Sequence, residues 1–263
     1  MAPERPNIVL VQGSFQTPLV YDDLLTRLRD LGYSVILPPL PSGSDVHHDD
    51  FPIRTLTDDA LAVTKVVEQL VEDGKTVVLV MHSYGGIVGS EAIPESLSYR
   101  ARQTRGQKGG VIHLFYYTAF LLDKGKSVLE TFGESPKNDV RVLVSPFDTQ
   151  TGDFSIRNGA STLYSDLPDA EAKLWESRLI AQSYRVQTTP VTRAAYEYTP
   201  STYLVCDNDQ AVPPQFQRTF AGMAKAQVES CNTGHSPMLN QLGMLVQKIM
   251  IAVEWAATVV VPK

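Results

Sequence analysis

Runs of apolar residues alternate along this chain with segments whose apolar residues recur at a helical period. The runs are rich in β-branched residues, and some are almost continuous in hydrophobicity, which is typical of strands buried on both faces of a sheet. Six strands are predicted, at residues 8–11, 34–37, 76–81, 111–117, 202–206 and 227–231. Strand–helix alternation of this kind predicts an α/β fold with a doubly wound, mostly parallel sheet of about six strands.

Residues 120–193 interrupt this alternation. They contain short segments with scattered aromatic residues, and one helix is predicted over residues 169–183, directly after Pro168. A linker would be less aromatic, so we expect this stretch to form a cap or lid over a core made of residues 1–119 and 194–263.

The third predicted strand ends on a serine flanked by small residues. Residues 77–86 read VVLVMHSYGG, so the apolar run turns at Ser83 directly into a helix-like segment. A sharp strand-to-helix turn through a serine is the construction of a nucleophile elbow, which exposes a strained serine above the sheet edge. Gly85 and Gly86 would let the helix approach the strand. Met81 stands where the Gly-x-Ser-x-Gly pattern has its first glycine.

A serine hydroxyl needs a base, and the chain has five histidines. His235 is the predicted base, because it follows the last predicted strand in a turn-forming setting that places it at the same sheet edge as Ser83. The other four are predicted to be solvated (His47, His48) or to pack in the interior (His82, His113).

Three carboxylates are candidates for orienting the base. Asp209 is the first choice, since it follows a predicted strand and lies deep in its loop, just before a Val-Pro-Pro turn. Asp207 in the same loop is the alternative, and Asp123 is a weaker third candidate.

An acyl-transfer site also needs two N–H donors for the oxyanion. Tyr84, directly after the nucleophile, should supply one backbone amide. The loop after the first strand should supply the other, with Ser14 preferred over Phe15 because Gly13 allows a close turn.

These motifs resemble the α/β-hydrolase superfamily, and residues 206–217 are similar to its small-esterase and hydroxynitrile-lyase branch. The resemblance implies a Ser–His–Asp triad, no cofactor, and a helical cap inserted after the family's sixth-strand position. Gln12 replaces the histidine that usually begins the oxyanion loop. Ser236 stands where hydroxynitrile lyases of this type carry a lysine, which disfavours the lyase reaction.

The leading functional prediction is a serine hydrolase that cleaves a carboxylic ester, lactone or related acyl compound. Phe15, Phe120 and Met238 are expected to line its pocket, which favours a small to medium apolar or aromatic substrate. Two alternatives stay open: a triad-dependent C–C cleavage, cyclisation or lyase step, and a non-catalytic ligand-binding receptor.

The charge and the apolar runs of the chain favour a small molecule as its partner over a nucleic acid or a membrane. The net charge of −6 argues against nucleic acid or an anionic membrane surface, and no run of about eighteen apolar residues suggests a membrane span. The first residues lack the features of a secretory signal, so a cytoplasmic location is expected. Cys206 and Cys231 have no metal-like spacing and are predicted to be free thiols. A monomer and a homodimer are both compatible with the sequence.

Overall fold

The computed structural model describes residues 5–44, 46–143 and 151–260. Its nine strands in this part of the chain are β1 (Asn7–Val11), β2 (Val35–Ile36), β3 (Thr76–His82), β4 (Gly110–Tyr117), β5 (Asn138–Leu143), β6 (Thr151–Ile156), β7 (Gln182–Ser183), β8 (Ser201–Cys206) and β9 (Gln227–Cys231). Six of them form one sheet in the order β2-β1-β3-β4-β8-β9, and every neighbouring pair is parallel. The predicted α/β fold with a six-stranded sheet is therefore confirmed.

Helices connect the strands of this sheet. The α-helices of the described residues are α1 (Asp22–Asp30), α2 (Pro41–Ser44), α3 (Leu56–Glu72), α4 (Gly85–Ala92), α5 (Tyr99–Thr104), α6 (Val128–Phe132), α7 (Gly159–Thr162), α8 (Asp169–Glu176), α9 (Arg185–Thr188), α10 (Pro214–Met223), α11 (Pro237–Asn240) and α12 (Leu242–Val259). Local chemistry sets some of the ends: Thr55 and Asp58 form a reciprocal capping box at the start of α3.

The sheet lies between two layers of helices, which explains the continuous hydrophobicity of its central strands. Along β3, Val77 and Leu79 face a core that includes α3, α4 and α10, while Val78 and Val80 face a second core with α1 and α12. Both sets of side chains are fully buried. Successive residues of a strand point to opposite faces, so a strand covered on both sides needs apolar residues at every position.

The last helix, α12, is long and apolar enough to cross a membrane by length and composition alone. In the structure one side of it, which includes Leu245, Ile249 and Val253, is buried in the core with α1 and β4. That packing is typical of the core helix of an α/β domain.

The segment between β4 and β8, which was expected to form a helical cap, contains helices and also strands that were not predicted. It carries α6 to α9 but also an antiparallel sheet in the order β5-β6-β7. The predicted helix over 169–183 is shorter, because α8 ends at Glu176 and Gln182 pairs with Phe154 of β6. The alternation in β5 is too short to identify a strand, whose formation depends on pairing with a distant segment.

Candidate active site

Ser83 occupies the sharp turn between β3 and α4. Its φ of 53° lies in the left-handed region, which is uncommon for a residue with a side chain and carries strain. The Ser83 carbonyl accepts hydrogen bonds from the amides of Gly86 and Phe120, both at 3.0 Å. A Cβ at Gly85 would lie 2.3 Å from the Val11 carbonyl oxygen, so glycine is required there for α4 to approach β1.

Met81, the departure from the usual elbow pattern, is accommodated by a glycine on the helix that follows. Met81 is fully buried, and a Cβ at Gly89 would lie 2.3 Å from its sulfur. The usual elbow pattern has its small residue on the strand. Here the small residue at the strand–helix contact is Gly89 on α4, which leaves room for the Met81 side chain. The turn at Ser83 therefore keeps its left-handed conformation.

His235 and Asp209 meet at the carboxyl edge of the sheet. The Nδ1–H of His235 donates to Asp209 Oδ2 at 2.9 Å, and both side chains are almost completely buried. A carboxylate only accepts hydrogen bonds, so this contact places the ring proton on Nδ1 and leaves Nε2 free to accept one. That tautomer is the one a general base requires.

The Asp209 carboxylate is itself held by several donors. Its Oδ1 accepts from the amides of Ala211 at 2.7 Å and Val212 at 2.9 Å, and its Oδ2 accepts from Gln217 Nε2 at 3.0 Å. These bonds satisfy a buried charge and fix its direction. The support from Gln217, on α10, was not predicted, since nothing in its spacing distinguishes it from any polar helix residue.

The two alternative carboxylates lie elsewhere. Asp207 pairs with Arg218 at 2.7 Å, and its side chain is 38% exposed. Asp123 is exposed in the loop that follows β4. In the described residues the only carboxylate that contacts the His235 ring is that of Asp209.

His82 has a more specific position than the packing role predicted for it. Its Nε2 lies 2.9 Å from the carbonyl oxygen of His235, and its Nδ1 lies 2.7 Å from the Tyr21 hydroxyl. A carbonyl only accepts, so Nε2 carries the proton. Burial lowers the pKa of His82 well below its usual value, which keeps the ring neutral. His82 therefore supports the backbone of His235.

The segment between β4 and β8 also contacts the loop that carries His235. Asp166 Oδ2 accepts from the amide of Gly234 and from the side-chain amide of Asn240. A Cβ at Gly234 would collide with this carboxylate, which explains the glycine. Sequence reasoning missed Asp166, because it is 68 positions from Gly234 and no local pattern marks it.

The residues predicted to bind an oxyanion lie beside Ser83. Ser14, Phe15 and Tyr84 line the same cavity as Ser83 and His235. Phe15 has a φ of 65°, and the Gly13 amide donates to the Tyr21 hydroxyl at 2.8 Å, so the loop after β1 turns tightly. Among the loop hydrogen bonds within the described ranges, none uses the amide of Ser14, Phe15 or Tyr84 as a donor.

The cavity has a volume of about 450 Å³, and its lining includes the rings of seven Phe and Tyr residues. The lining rings besides that of Tyr84 are those of Phe15, Phe120, Phe132, Phe154, Phe216 and Phe220. Phe15 and Phe120 lie where they were predicted. Met238 does not line this cavity: α11 turns it into the core beside α1 and α12, where it is 1% exposed.

The two cysteines are free thiols, as predicted, although only Cys206 is fully buried. They are register partners on β8 and β9, and their sulfurs lie 3.5 Å apart. Within the described part of the chain, no group of three His, Cys, Asp or Glu side chains is arranged to hold a metal ion.

Comparisons with known proteins agree with this architecture. A family model described as "Alpha/beta hydrolase family" matches residues 8–245. Alpha/beta hydrolase nvfD of Aspergillus novofumigatus is 30% identical over 250 residues, covering 93% of this chain and 95% of that protein. Methyl jasmonate esterase 1 of Vitis vinifera is 25% identical over 230 residues, covering 83% and 84%. The structure of polyneuridine aldehyde esterase superposes with a TM-score of 0.75 at 18% identity, covering 94% of this chain and 99% of that one, and shows the same fold.

Proposed function

Because this chain belongs to the α/β-hydrolase family and is an enzyme of the hydrolase type, we propose that it is a serine hydrolase of carboxylic esters that works through Ser83, His235 and Asp209. One observation carries the proposal: a serine in a strained, left-handed turn shares an aromatic cavity with a histidine whose other ring nitrogen is bonded to a buried carboxylate.

The proposed reaction has two halves. The Ser83 hydroxyl oxygen attacks the ester carbonyl carbon while His235 Nε2 takes its proton, and Asp209 stabilises the resulting imidazolium. The amides of Ser14 and Tyr84 hold the oxyanion of the tetrahedral intermediate. The intermediate collapses to an acyl-enzyme, and the alcohol leaves with the proton from His235. Water then attacks the acyl-enzyme with His235 again as base, which releases the acid and restores Ser83.

The cavity favours a neutral, apolar or aromatic small molecule. Its aromatic lining suits an apolar acyl or alcohol group. Two lining residues in the described part of the chain carry opposite charges: the Lys137 ammonium group contacts the carbonyl oxygen of Gln210, and the Glu134 carboxylate accepts from the Tyr184 hydroxyl at 2.6 Å. The name of the Vitis vinifera relative specifies a methyl ester, and this likeness supports an ester over a lactone.

A fluorophosphonate probe and a panel of alkyl and aryl esters test the proposal. Wild-type protein should be labelled and should hydrolyse esters, whereas Ser83→Ala and His235→Ala should lose both properties. Ser96→Ala is the matched control, because Ser96 is an exposed serine on the surface helix Glu95–Leu97.

Other outcomes would contradict the proposal. Turnover of a non-ester substrate that survives Ser83→Ala but is lost in His235→Ala would indicate direct base chemistry without an acyl-enzyme. Saturable binding of an ester without turnover would indicate a receptor.

A further inference from the structure

Beside the Tyr84 side chain lies a fully buried carboxylate that the proposed mechanism does not use. Asp59, on α3, is 0% exposed. Its Oδ2 accepts from the Tyr84 hydroxyl at 2.8 Å and from the Ser42 hydroxyl at 2.6 Å, and its Oδ1 accepts from the Ser42 amide at 2.9 Å. Burying a carboxylate is costly unless donors surround it, and here three donors do so.

The contact with Tyr84 connects Asp59 to the reaction centre. Tyr84 directly follows Ser83, and its backbone amide is the predicted second donor to the oxyanion. Its ring is buried in the core beneath the elbow at 3% exposure. A rigid side chain that is fixed at its far end restricts the backbone from which it extends, so the hydroxyl bond to Asp59 limits rotation of the Ser83–Tyr84 peptide.

The contact with Ser42 connects the same carboxylate to the cap. The Ser42 hydroxyl accepts from Gln182 Nε2 at 2.8 Å. Gln182, on β7, is the register partner of Phe154 on β6, and Phe154 lines the cavity. Hydrogen bonds therefore connect Tyr84 to Gln182 through Asp59 and Ser42. Strand pairing connects Gln182 to Phe154 in the cap wall, which is the part of the cavity lining that lies between β4 and β8 in the chain.

We propose that Asp59 is a positioning residue, whose carboxylate holds the Tyr84 amide in its oxyanion-binding orientation through the Tyr84 hydroxyl and aligns it with the cap strand that carries Phe154. This inference rests on the proposed ester hydrolysis, in which the Tyr84 amide stabilises the tetrahedral intermediate.

The ionisation of Asp59 is compatible with this role. Burial raises its pKa to about 6, although the hydrogen bonds from Ser42 and Tyr84 oppose the shift. The titratable groups that act on it are Tyr84, whose own pKa burial raises, and Asp58 on the same helix. Above pH 6 the carboxylate is charged and accepts from all three donors, and such charge-assisted bonds are the stronger kind.

Two substitutions test the proposal with 4-nitrophenyl butyrate as substrate and an alkyl trifluoromethyl ketone as inhibitor. The ketone forms an adduct with Ser83 that carries an oxyanion, so its affinity reports on the oxyanion donors. Tyr84→Phe removes the tether, and the nearly isosteric Asp59→Asn removes the charge. Each should lower kcat per active site by about tenfold, leave KM within about twofold, and lower the affinity for the ketone by about tenfold. These losses are smaller than the loss of about a hundredfold or more in kcat that follows the removal of a whole oxyanion donor.

Tyr116→Phe is the matched control. Tyr116 is a buried tyrosine in the same core, and its hydroxyl bonds to Ser90 instead. It should lose stability without any change in kcat or ketone affinity. Fluorophosphonate titration gives the concentration of active sites for every variant, so a variant that folds less efficiently is corrected for.

The proposal is overturned if Tyr84→Phe and Asp59→Asn keep kcat per active site and ketone affinity within about twofold of the wild type while Ser83→Ala is inactive. If Asp59→Asn does not fold, Tyr84→Phe alone decides. Full activity of Ser83→Ala would instead overturn the proposed function, so the two failures are distinguishable.

Discussion

The cavity has two walls that are held in different ways. The core wall consists of strand ends, turns and parts of α4 and α10, and its polar groups are fixed by directional bonds, such as those to Asp209 from Ala211, Val212 and Gln217. The cap wall consists mostly of aliphatic and polar side chains with three rings, those of Phe120, Phe132 and Phe154, and Phe132 remains 39% exposed. Chemistry needs precise angles, so we expect the reaction to depend on the core wall, and we expect apolar contacts from the cap wall to affect mainly substrate preference.

The largest effect should come from the core wall. Asp209→Asn should lower kcat/KM for an ester by roughly a thousandfold, because the amide cannot stabilise the charged histidine and favours the wrong ring tautomer. Asp207→Asn should change kcat/KM by less than about twofold, since the exposed Asp207 contacts Arg218 instead. Steady-state kinetics decides, and a severe loss in Asp207→Asn with normal Asp209→Asn activity would reverse the assignment.

Packing beneath the elbow should be the next most sensitive feature. Gly89→Ala should lower the free energy of unfolding by about 1–3 kcal/mol, because its Cβ would overlap the Met81 sulfur. Gly222→Ala in α10 is the control: among the described residues, no atom outside its chain neighbours and its own helix backbone lies within 4 Å of the added Cβ, so alanine should be neutral or stabilising there. Urea unfolding measures both. Equal stability of the two variants would show that Met81 does not fill the space at Gly89.

The core wall should also respond to pH through Asp59. Its pKa is raised to about 6 in the folded protein, so the neutral carboxyl is favoured by folding and the charged one is penalised. The stabilisation from the neutral carboxyl is complete below about pH 4, the pKa of an aspartate in the unfolded chain, and is lost as pH rises through about 6. Relative to Asp59→Asn, the free energy of unfolding of the wild type should fall by on the order of 2 kcal/mol between pH 4 and pH 6.

Urea unfolding of both proteins at pH 4, 5, 6 and 7 measures this difference. A constant difference in free energy of unfolding across the range would show that the pKa of Asp59 is not raised.

The smallest effect should come from the cap wall. Phe132→Ala should raise KM for 1-naphthyl acetate by about fivefold and leave kcat within about twofold, because one ring of the cluster with Phe120 and Phe220 is lost. Leu174→Ala, an exposed apolar residue of α8 that does not line the cavity, should change neither constant. If Phe132→Ala lowered kcat as much as Asp209→Asn does, the expectation that the two walls have different roles would be wrong.

Local sequence patterns were sufficient for the sheet and for selecting the candidate side chains that the structure brings together. The central strands of the main sheet are buried on both faces, so their hydrophobic runs were visible without an alignment. Ser83 follows such a strand, His235 follows the edge strand β9, and parallel strands bring their carboxyl ends to one edge. The cap gave weaker signals: the strands Asn138–Leu143 and Thr151–Ile156 are defined by pairing with each other, not by a strong local pattern.

By itself, the sequence determined the α/β-hydrolase fold, the elbow at Ser83 and two cavity rings, because burial periodicity and turn chemistry are local properties. Tertiary structure decided which contacts distant residues make. It brought Asp209 and not Asp207 to His235, turned Met238 into the core, matched Gly89 to Met81, and placed Asp59 beneath Tyr84. Each of these outcomes depends on the direction of a side chain in three dimensions, which spacing along the chain does not encode.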